Sequence, residues 1–176
     1  MKTSSSSNIK IGVIYGSYRT QRQGIRAARF AEKQLAKRAE VVFFDAMDID
    51  LPILSKMHKE YEAGKAPENL ESTSQLLKSC DGYCFVTGEY NHGLQPGLKN
   101  FLDHFQKEYF FKPAGILSYS AGSFGGVRSA VHARVVLGEL GMVTISTIQP
   151  IPKIGSTLHE DGEPEDERLQ RLLFYD

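Results

Sequence analysis

The sequence has little cysteine, no long apolar run and no excess of charge of either sign. The spacing of its only cysteines, Cys80 and Cys84, fits neither a CxxC pair nor a metal cluster, so neither a metal site nor a disulfide framework is predicted. We interpret both as inert core thiols of a protein in the reducing cytoplasm. No segment approaches the roughly 20 apolar residues that a membrane helix needs. The zero formal net charge gives no reason to expect nucleic acid or a membrane as a partner.

The length predicts one folded domain. A chain of 176 residues, 41% of them apolar, can bury roughly two-thirds of its unfolded surface, which is enough for one core. Residues 1–8 include four consecutive serines, so we predict a disordered tail followed by a single domain over 9–176. Eight basic residues lie from Lys10 to Arg38 against one acid, and seven acids lie from Glu160 to Asp176 against two arginines. We expect these regions to attract each other, within one chain or across an interface.

Along the chain, short apolar runs typical of strands alternate with apolar residues at helical spacing. Short apolar runs predict strands at Ile9–Tyr15, Glu40–Asp45, Tyr83–Val86, Pro113–Ser118 and Met142–Ile148, with Pro150 and Pro152 ending the last one. Helical patterns follow Gly24 and lie at Asn69–Ser79, Leu98–Phe105 and Val127–Leu140, with Gly141 as a C′ residue and a short last pattern at Leu169, Leu172 and Leu173. This alternation predicts an α/β three-layer sandwich with a five-stranded parallel sheet. The loops after the first, third and fourth strands should then face one crevice.

The loop after the first strand has the composition of an anion site. Ser17, Arg19, Arg22 and Gly24 follow this strand and lead into a helix. Hydroxyl groups, guanidinium groups and the unpaired amides at the positive end of the helix converge there, as an oxyanion such as phosphate requires. The basic residues from Arg26 onward are interpreted as a solvated helix face.

A second polar loop follows the third strand. The apolar run of that strand stops at Gly88, and a helical pattern resumes at Leu98. The polar residues between them begin with Glu89, Tyr90, Asn91 and His92. Strands with continuous apolar sequence belong to parallel sheets, whose ligands lie beyond the carboxyl ends of the strands. These four residues are therefore predicted to lie at a ligand.

The loop after the fourth strand is rich in glycine and serine. Glycine lets the backbone approach a flat ligand closely, because no Cβ intervenes. The residues predicted to make that approach are Ser120, Gly122, Ser123, Gly125 and Gly126.

The loop motifs together resemble one known family. No GxGxxG follows the first strand and GxxxxGK[ST] is absent, which disfavours Rossmann and nucleotide triphosphatase proteins. The stretches GSYRTQRQG from Gly16 and EYNHGLQPGLKNFLDH from Glu89 resemble the NAD(P)H-dependent FMN reductase family, flavodoxin-like proteins that include quinone and azo-dye reductases. Its patterns are approximately GSxRxxRxG and PEYNxxxPGxLKNxxD, and the resemblance spans roughly Ile9 to Pro152. Gly88 departs from it, since the family usually has proline there, and this affects the expected rigidity of the loop.

The resemblance implies a flavodoxin-like domain that binds FMN. The loop after the first strand would hold the FMN phosphate, the residues from Glu89 to His92 would lie along one side of the isoalloxazine ring, and the glycine-rich loop would contact its pyrimidine end. NADPH or NADH would deliver hydride to FMN, and a quinone, azo compound or free flavin would accept it. No catalytic side chain is expected, because this chemistry depends on orientation and exclusion of water.

The resemblance also implies a homodimer or tetramer whose partner subunit helps to cover the flavin. We expect the long connection at 46–67, especially Met57–Lys65, or the acidic tail to contribute to that cover. Two other functions remain open. One is an FMN-binding electron carrier or redox-sensing interaction protein without efficient NAD(P)H turnover. The other is a serine hydrolase, because Ser118–Gly122 comes one glycine short of a GxSxG elbow, with Ser120 as nucleophile and His159 as a possible base.

Overall fold

A computed structural model describes residues 9–166. The predicted tail at 1–8 and the helical pattern at Leu169, Leu172 and Leu173 lie outside the described residues. Five parallel strands form one sheet in the order β2-β1-β3-β4-β5. They are β1 Lys10–Tyr15, β2 Glu40–Asp45, β3 Gly82–Gly88, β4 Pro113–Tyr119 and β5 Val143–Ile151. The five-stranded parallel sheet that the sequence predicts is confirmed.

Helices cover the sheet from both sides. They are α1 Ile25–Ala36, α2 Ala46–Ile49, α3 Glu68–Ser79, α4 Pro96–Asp103, α5 Val127–Glu139 and α6 Ile154–Thr157. Along β1, Ile14 points into the core cluster that holds α3, α4 and α5, whereas Val13 and Tyr15 point into the cluster that holds α1. Successive side chains of a strand alternate between faces. The two clusters therefore lie on opposite faces, and the three-layer α/β class is confirmed.

The strand order reverses between β1 and β3. From β1 the chain passes outward to β2 and then returns across β1 to pair β3 with its other edge. β3 lies between β1 and β4, and Phe85 and Val86 are fully buried. Its continuous apolar sequence is therefore explained by cover on both faces.

The structure corrects two predicted boundaries. The sequence predicts that Pro150 ends the last strand, but β5 continues to Ile151, with Pro150 paired to Ser118. Proline is tolerated there because β5 is an edge strand, where a missing N–H on the open side leaves no partner unsatisfied. The central helical pattern is predicted to reach Phe105, but α4 ends at Asp103 and Phe105 packs from the following turn onto Phe101, with 5.5 Å between ring centroids.

The basic and acidic regions meet within one chain. Lys33 Nζ lies 3.0 Å from the Asp161 carboxylate and 2.7 Å from that of Glu163, and Arg26 donates to the carbonyl of Leu158 at 2.9 Å. The expected attraction between them is thereby confirmed. Exposed ion pairs contribute only about 0–1 kcal/mol each, so they orient this segment more than they stabilise the fold. Within residues 9–166, no helix is both long enough and apolar enough to cross a membrane.

Candidate active site

The three predicted loops meet at the carboxyl edge of the sheet. They line one cleft of about 290 Å³. The predicted site residues in its lining are Ser17, Arg19, Arg22, Gly24, Glu89, Tyr90 and Ser120. The other predicted residues belong to the same loops but lie outside the lining, and they are Asn91, His92, Gly122, Ser123, Gly125 and Gly126. The cleft lies where the strand order reverses, the usual ligand site of open parallel sheets.

The start of α1 offers hydrogen-bond donors to this cleft. Ser17 is buried, and its hydroxyl oxygen accepts a long hydrogen bond of 3.5 Å from the Arg19 backbone N–H. The Arg19 residue itself is exposed. α1 begins after Gly24 with no side-chain cap and no acidic residue in its first turn. The backbone N–H groups of Ile25 and Arg26 donate to the Arg22 and Gln23 carbonyls, both at 3.2 Å, so this end of the helix offers an anion in the cleft mainly the positive end of its dipole.

Arg22 is already engaged with the protein. Its Nη1 lies 2.5 Å from Oδ1 of Asp45 and donates to the Ser17 carbonyl at 3.4 Å. Asp45 is only 5% exposed and also accepts a bond from the Met47 backbone N–H at the start of α2. Arg22 thus ties the loop to β2. Of the two arginines, Arg19 is the one that can bind an anion without giving up such a pair.

Two glycines let the first loop touch α4. A Cβ built on Gly16 would lie 2.2 Å from the Cα of Leu98. A Cβ on Gly97 would lie 2.3 Å from the ring of Tyr18 and 2.4 Å from the Gly16 carbonyl oxygen. No side chain fits at either position. Each of the two sequence motifs, GSYRTQRQG and EYNHGLQPGLKNFLDH, therefore supplies one glycine to a close contact between the first loop and α4.

The loop after β3 is a tight turn. Tyr90 and Gly93 exchange backbone hydrogen bonds of 3.1 and 2.9 Å, and the residues between them, Asn91 and His92, have φ values of 49° and 64°. Positive φ at both central residues is typical of a type I′ turn. Among residues with a side chain, asparagine and histidine are enriched in this conformation, although it still costs them free energy relative to glycine. Both residues are exposed at the tip of the turn and follow Tyr90, which lines the cleft.

Glu89 joins the second loop to α5. The Nη1 of Arg128 donates to one carboxylate oxygen at 2.8 Å, and the Arg128 backbone N–H donates to the other at 3.2 Å. Burial alone would raise the pKa of Glu89, but these two hydrogen bonds outweigh it and the net effect lowers the pKa. Glu89 is therefore an ionised carboxylate at neutral pH and holds the second loop against the start of α5.

The loop after β4 folds back on the segment that follows β5. The Ser120 backbone N–H donates to the Ile151 carbonyl at 3.2 Å, and the Lys153 N–H donates to the Gly122 carbonyl at 2.9 Å. Gly126 has a φ of 75°, and a Cβ on it would lie 2.5 Å from the Tyr119 carbonyl oxygen. A Cβ on Gly122 would meet no atom within 4 Å. Gly126 is thus required by the fold, whereas Gly122 leaves open space for a ligand.

The sequence reasoning missed Tyr119, which lines the cleft. It ends β4, is 8% exposed, and its hydroxyl oxygen accepts a hydrogen bond of 2.7 Å from Nε2 of Gln95. Burial raises its pKa, so the phenol keeps its proton. A Cβ at Gly24 would lie 1.9 Å from Tyr119 Cζ, and a Cβ at Gly88 would lie 2.8 Å from it. Tyr119 therefore explains why glycine, and not proline, occupies position 88.

Two of the poorly satisfied buried polar atoms within residues 9–166 lie next to the cleft. Tyr15, the last residue of β1, and Gln95, the residue before α4, are both nearly fully buried. Within residues 9–166, Gln95 Oε1 accepts no hydrogen bond, and the Tyr15 hydroxyl makes none of good geometry, although it lies near the side chains of Tyr119 and Ser17. Unpaired polar atoms at such depth are rare in folded proteins and often mark functional sites.

The arrangement does not support the serine hydrolase alternative. The Ser120 hydroxyl donates to the Gly122 carbonyl at 2.9 Å, and His159 Nε2 lies 3.3 Å from the Glu165 carboxylate. The two residues that the alternative pairs are thus engaged elsewhere. In addition, α5 begins only at Val127, so Ser120 is not at a sharp turn from strand to helix.

The sheet order and the position of the cleft define a flavodoxin-like protein. Among solved structures, the flavoenzyme NAD(P)H:(acceptor) oxidoreductase FerB from Paracoccus denitrificans has a TM-score of 0.76 at 23% identity, covering 94% of this chain and 91% of its own. A flavodoxin from Pseudomonas aeruginosa has a TM-score of 0.53 at 16% identity, covering 82% and 84%. These likenesses establish the fold.

The chain belongs to the NADPH-dependent FMN reductase family, whose profile matches residues 9–154. It is 28% identical to the NAD(P)H-dependent FMN reductase LOT6 of Saccharomyces cerevisiae, over 94% of this chain and 95% of the relative. It is 30% identical to the NADPH:quinone oxidoreductase of Arabidopsis thaliana, over 72% and 69%. The protein is accordingly an oxidoreductase of the class that uses FMN and NAD(P)H, as the sequence motifs imply.

Proposed function

We propose that this protein transfers hydride from NADPH or NADH, through FMN, to a quinone, with azo compounds and free flavin as further acceptors. The observation that carries the proposal is the meeting of three loops at one cleft: an anion-binding loop, a polar turn and a glycine-rich loop. Relatives named as a quinone oxidoreductase in Arabidopsis thaliana and a 2-hydroxy-1,4-benzoquinone reductase in a Burkholderia species support a quinone as the acceptor.

The residues at the start of α1 fit a phosphate ester. The Ser17 hydroxyl can donate a hydrogen bond, the Arg19 guanidinium is a positive charge, and the positive end of the α1 dipole points to the same place. The one acid in the cleft lining, Glu89, is neutralised by Arg128. Arg22 contributes by fixing the loop to Asp45. We therefore assign the phosphate of FMN to this end of the cleft.

The other two loops fit the flat ring. We assign Glu89, Tyr90, Asn91 and His92 to one side of it, and the backbone from 120 to 126 to its pyrimidine edge. When bound, FMN supplies the capacity to accept and return hydride. Backbone N–H groups at the pyrimidine edge would stabilise negative charge that develops there, because they are fixed by the fold before the reaction.

No acid or base from the protein is required in this proposal. The chain's residues hold FMN and the second substrate face to face and exclude water, and such orientation can account for much of the rate. Tyr119 keeps its proton, so we place it as a neutral donor at the floor of the cleft.

Reduction by nicotinamide nucleotides tests the function. FMN-loaded protein is mixed without oxygen with NADPH or NADH in a stopped-flow instrument, and we expect the visible flavin absorption to fade within seconds. Addition of a benzoquinone should restore it, and the ratios of kcat/KM for quinone, azo dye and free FMN rank the acceptors. Protein that binds FMN but is not reduced within minutes by either nucleotide would instead be an electron carrier or redox-sensing protein.

We further propose that a homodimer or tetramer is the working form, in the cytoplasm. The connection at 46–67 supports this proposal, because it exposes Ile53 at 87% and Met47 at 42%. Its start also touches the first loop, since the Tyr18 hydroxyl donates to the Ala46 carbonyl at 2.6 Å. Of the acidic segment, Asp161 and Glu163 already pair with Lys33. Elution as a monomer at micromolar concentration in sizing chromatography would contradict the proposal.

A further inference from the structure

Four buried polar side chains lie side by side at the floor of the cleft and beneath it. They are Gln95 before α4, Tyr119 at the end of β4, Tyr15 at the end of β1 and Ser17 in the first loop. Each is at most 8% exposed. Tyr119 and Ser17 line the cleft, whereas Tyr15 is fully buried and lies behind that lining. These four residues, here called the polar row, therefore connect the second loop with the first.

The members of the polar row are neighbours in that order. Gln95 Nε2 donates to the Tyr119 hydroxyl oxygen at 2.7 Å, and the ring centroids of Tyr119 and Tyr15 lie 6.4 Å apart. The Tyr15 hydroxyl in turn lies near the side chains of Tyr119 and Ser17. The guanidinium carbon of Arg22 lies over the Tyr15 ring, 5.6 Å from its centroid. Tyr15 is thus held between the first loop and Tyr119.

The chemistry of Gln95 sets the direction of the donors in the polar row. An amide NH2 group can only donate, so the Tyr119 oxygen is the acceptor at that end, and its own hydrogen is directed elsewhere. Burial raises the pKa of both tyrosines, so both keep their hydrogen at neutral pH. A buried hydroxyl is costly unless it is hydrogen-bonded. The arrangement that pairs both hydroxyls has Tyr119 donating to Tyr15 and Tyr15 donating to the Ser17 oxygen.

This direction leaves the hydrogen of Ser17 for the cleft. The Ser17 oxygen also accepts from the Arg19 backbone N–H at 3.5 Å, so its O–H is donated away from the protein, into the cleft that Ser17 lines. An ionised phosphate offers only acceptors, so it is a suitable end for such a row. Successive hydrogen bonds of one direction polarise each other, which strengthens the last of them. The Tyr15 hydroxyl makes no bond of good geometry within residues 9–166, and hydrogen bonds of active sites often tighten only once the ligand is bound.

We propose that Tyr15 is a positioning residue for the phosphate of FMN, because its hydroxyl donates to Ser17 Oγ and so directs the Ser17 hydrogen into the cleft. The proposal rests on the proposed function, from which it takes the place of the phosphate in the first loop. Tyr15 itself touches no ligand in this account and acts through Ser17. The alternatives are that Tyr15 only fills space in the core and that its hydroxyl binds the ligand directly.

Replacement of Tyr15 by phenylalanine tests the proposal, because it removes the hydroxyl and keeps the ring. Apoprotein of the wild type and of Tyr15→Phe is titrated with FMN and with riboflavin at one ionic strength, and quenching of flavin fluorescence gives each dissociation constant. We expect Tyr15→Phe to bind FMN about three- to ten-fold more weakly, the effect of one hydrogen bond, and to bind riboflavin within about two-fold of the wild type. Tyr109→Phe is the matched control and should change neither constant. Tyr109 is also fully buried with a hydroxyl that has no hydrogen-bond partner within residues 9–166, but it lies in the opposite core cluster.

Riboflavin separates the proposal from a purely structural role. Equal weakening of FMN and riboflavin binding in Tyr15→Phe would assign Tyr15 to packing, and unchanged binding of both would leave its hydroxyl without a role. Either result would overturn the proposal while a preference of the wild type for FMN still supports the proposed function. A wild type that binds both ligands alike would contradict the phosphate assignment of the proposed function, and this proposal with it.

A double-mutant cycle tests the route through Ser17. We expect Ser17→Ala to weaken FMN binding by itself, and Tyr15→Phe to add less than about two-fold in that background, because the group on which Tyr15 acts is gone. Losses that multiply would show that the Tyr15 hydroxyl acts on the ligand directly and would overturn the proposal. Urea unfolding of each apoprotein checks the fold. We expect Tyr15→Phe to stay folded, because phenylalanine fills the same space and leaves no buried polar atom.

Discussion

Neighbouring residues of the first loop have different roles, although the sequence makes them look alike. Arg19 and Arg22 both follow β1, and both are predicted at the phosphate. The structure shows Arg22 paired with Asp45, while Arg19 lines the cleft and forms no ion pair with the residues from 9 to 166. A sequence pattern gives the type and spacing of side chains, but the partner of Arg22 comes from another strand, 23 positions away.

Replacement of Arg19 tests the phosphate assignment. We expect Arg19→Ala to weaken FMN binding by about 1–3 kcal/mol, the range for loss of a charge-assisted hydrogen bond. Titration of the apoprotein, followed by quenching of flavin fluorescence, measures this. Arg38→Ala is the matched control, because Arg38 is exposed beyond the end of α1. An unchanged affinity in Arg19→Ala would remove Arg19 from the phosphate site.

The positive φ of His92 in the type I′ turn leads to a prediction about the free energy of unfolding. His92 adopts a φ of 64°, a left-handed conformation that costs a non-glycine residue about 1–2 kcal/mol. Glycine removes this cost but gains freedom in the unfolded chain, so we expect His92→Gly to stabilise the apoprotein by about 0.5–1 kcal/mol. Urea unfolding measures the change. Asn91→Gly should stabilise the apoprotein by a smaller amount. A lower free energy of unfolding in His92→Gly would argue against the type I′ turn.

Gly24 tests the packing of α1 on the floor of the cleft. Its φ of −66° suits any residue, so the cost of Gly24→Ala is steric and arises from Tyr119. We expect Gly24→Ala to lower the free energy of unfolding by about 1–3 kcal/mol, the range typical of an overpacked core. The double variant with Tyr119→Leu should recover part of this loss in a double-mutant cycle. Additive losses would show that Tyr119 is not the obstacle.

At the scale of elements, the long connection between β2 and α3 is held by polar contacts. Asn100 of α4 accepts from the Leu54 N–H and donates to the Pro52 carbonyl, both at 2.9 Å. His58 lies between two carboxylates, 3.0 Å from Glu71 and 3.3 Å from Glu108. The sequence marks this connection as unusually long, but its anchors are single residues on distant helices and turns, so no local pattern predicts them.

Glu108 links that connection to stability and pH. Burial would raise its pKa, but hydrogen bonds from the Ser74 hydroxyl and the Gln106 backbone N–H outweigh burial, and the net effect lowers the pKa. A carboxylate whose pKa is lower in the folded state adds stability above its unfolded pKa and loses it as the pH falls through its folded pKa.

We therefore expect Glu108→Gln to destabilise the protein by about 1–3 kcal/mol at pH 7, as for loss of a buried charged partner. The difference from the wild type should shrink as the pH falls below about 4. Urea unfolding at several pH values measures both effects. Glu139→Gln, at the exposed end of α5, is the control and should stay within about 0.5 kcal/mol. A difference that grows in acid would contradict this account of Glu108.

The order of elements was predictable where the apolar period was clear. All five strands and the helices α1, α3, α4 and α5 lie where the sequence predicts them, because each buries a continuous run or a helical stripe. The end of β5 was not predictable, since it depends on its position at the edge of the sheet. In the sequence, Tyr119 is simply the residue at the end of an apolar strand. Its place at the floor of the cleft becomes visible only through its contacts with Gly24 and Gly88 in the structure.

At the scale of the whole molecule, the fold brings together loops that are far apart in sequence. Residues 16–24, 88–95 and 119–126 converge because three parallel strands end at one edge on either side of the reversal in strand order. The sequence predicts this convergence from topology alone. The account then depends on one claim, that the first of these loops binds the phosphate of FMN while the others hold its ring.

Comparison of FMN with riboflavin tests that claim most directly, because the two ligands differ only in the phosphate. Apoprotein is titrated with each, and the dissociation constants are compared at the same ionic strength. We expect FMN to bind at least about 100-fold more tightly, which corresponds to about 2.7 kcal/mol. Equal affinities for the two ligands, or no binding of FMN, would contradict the account.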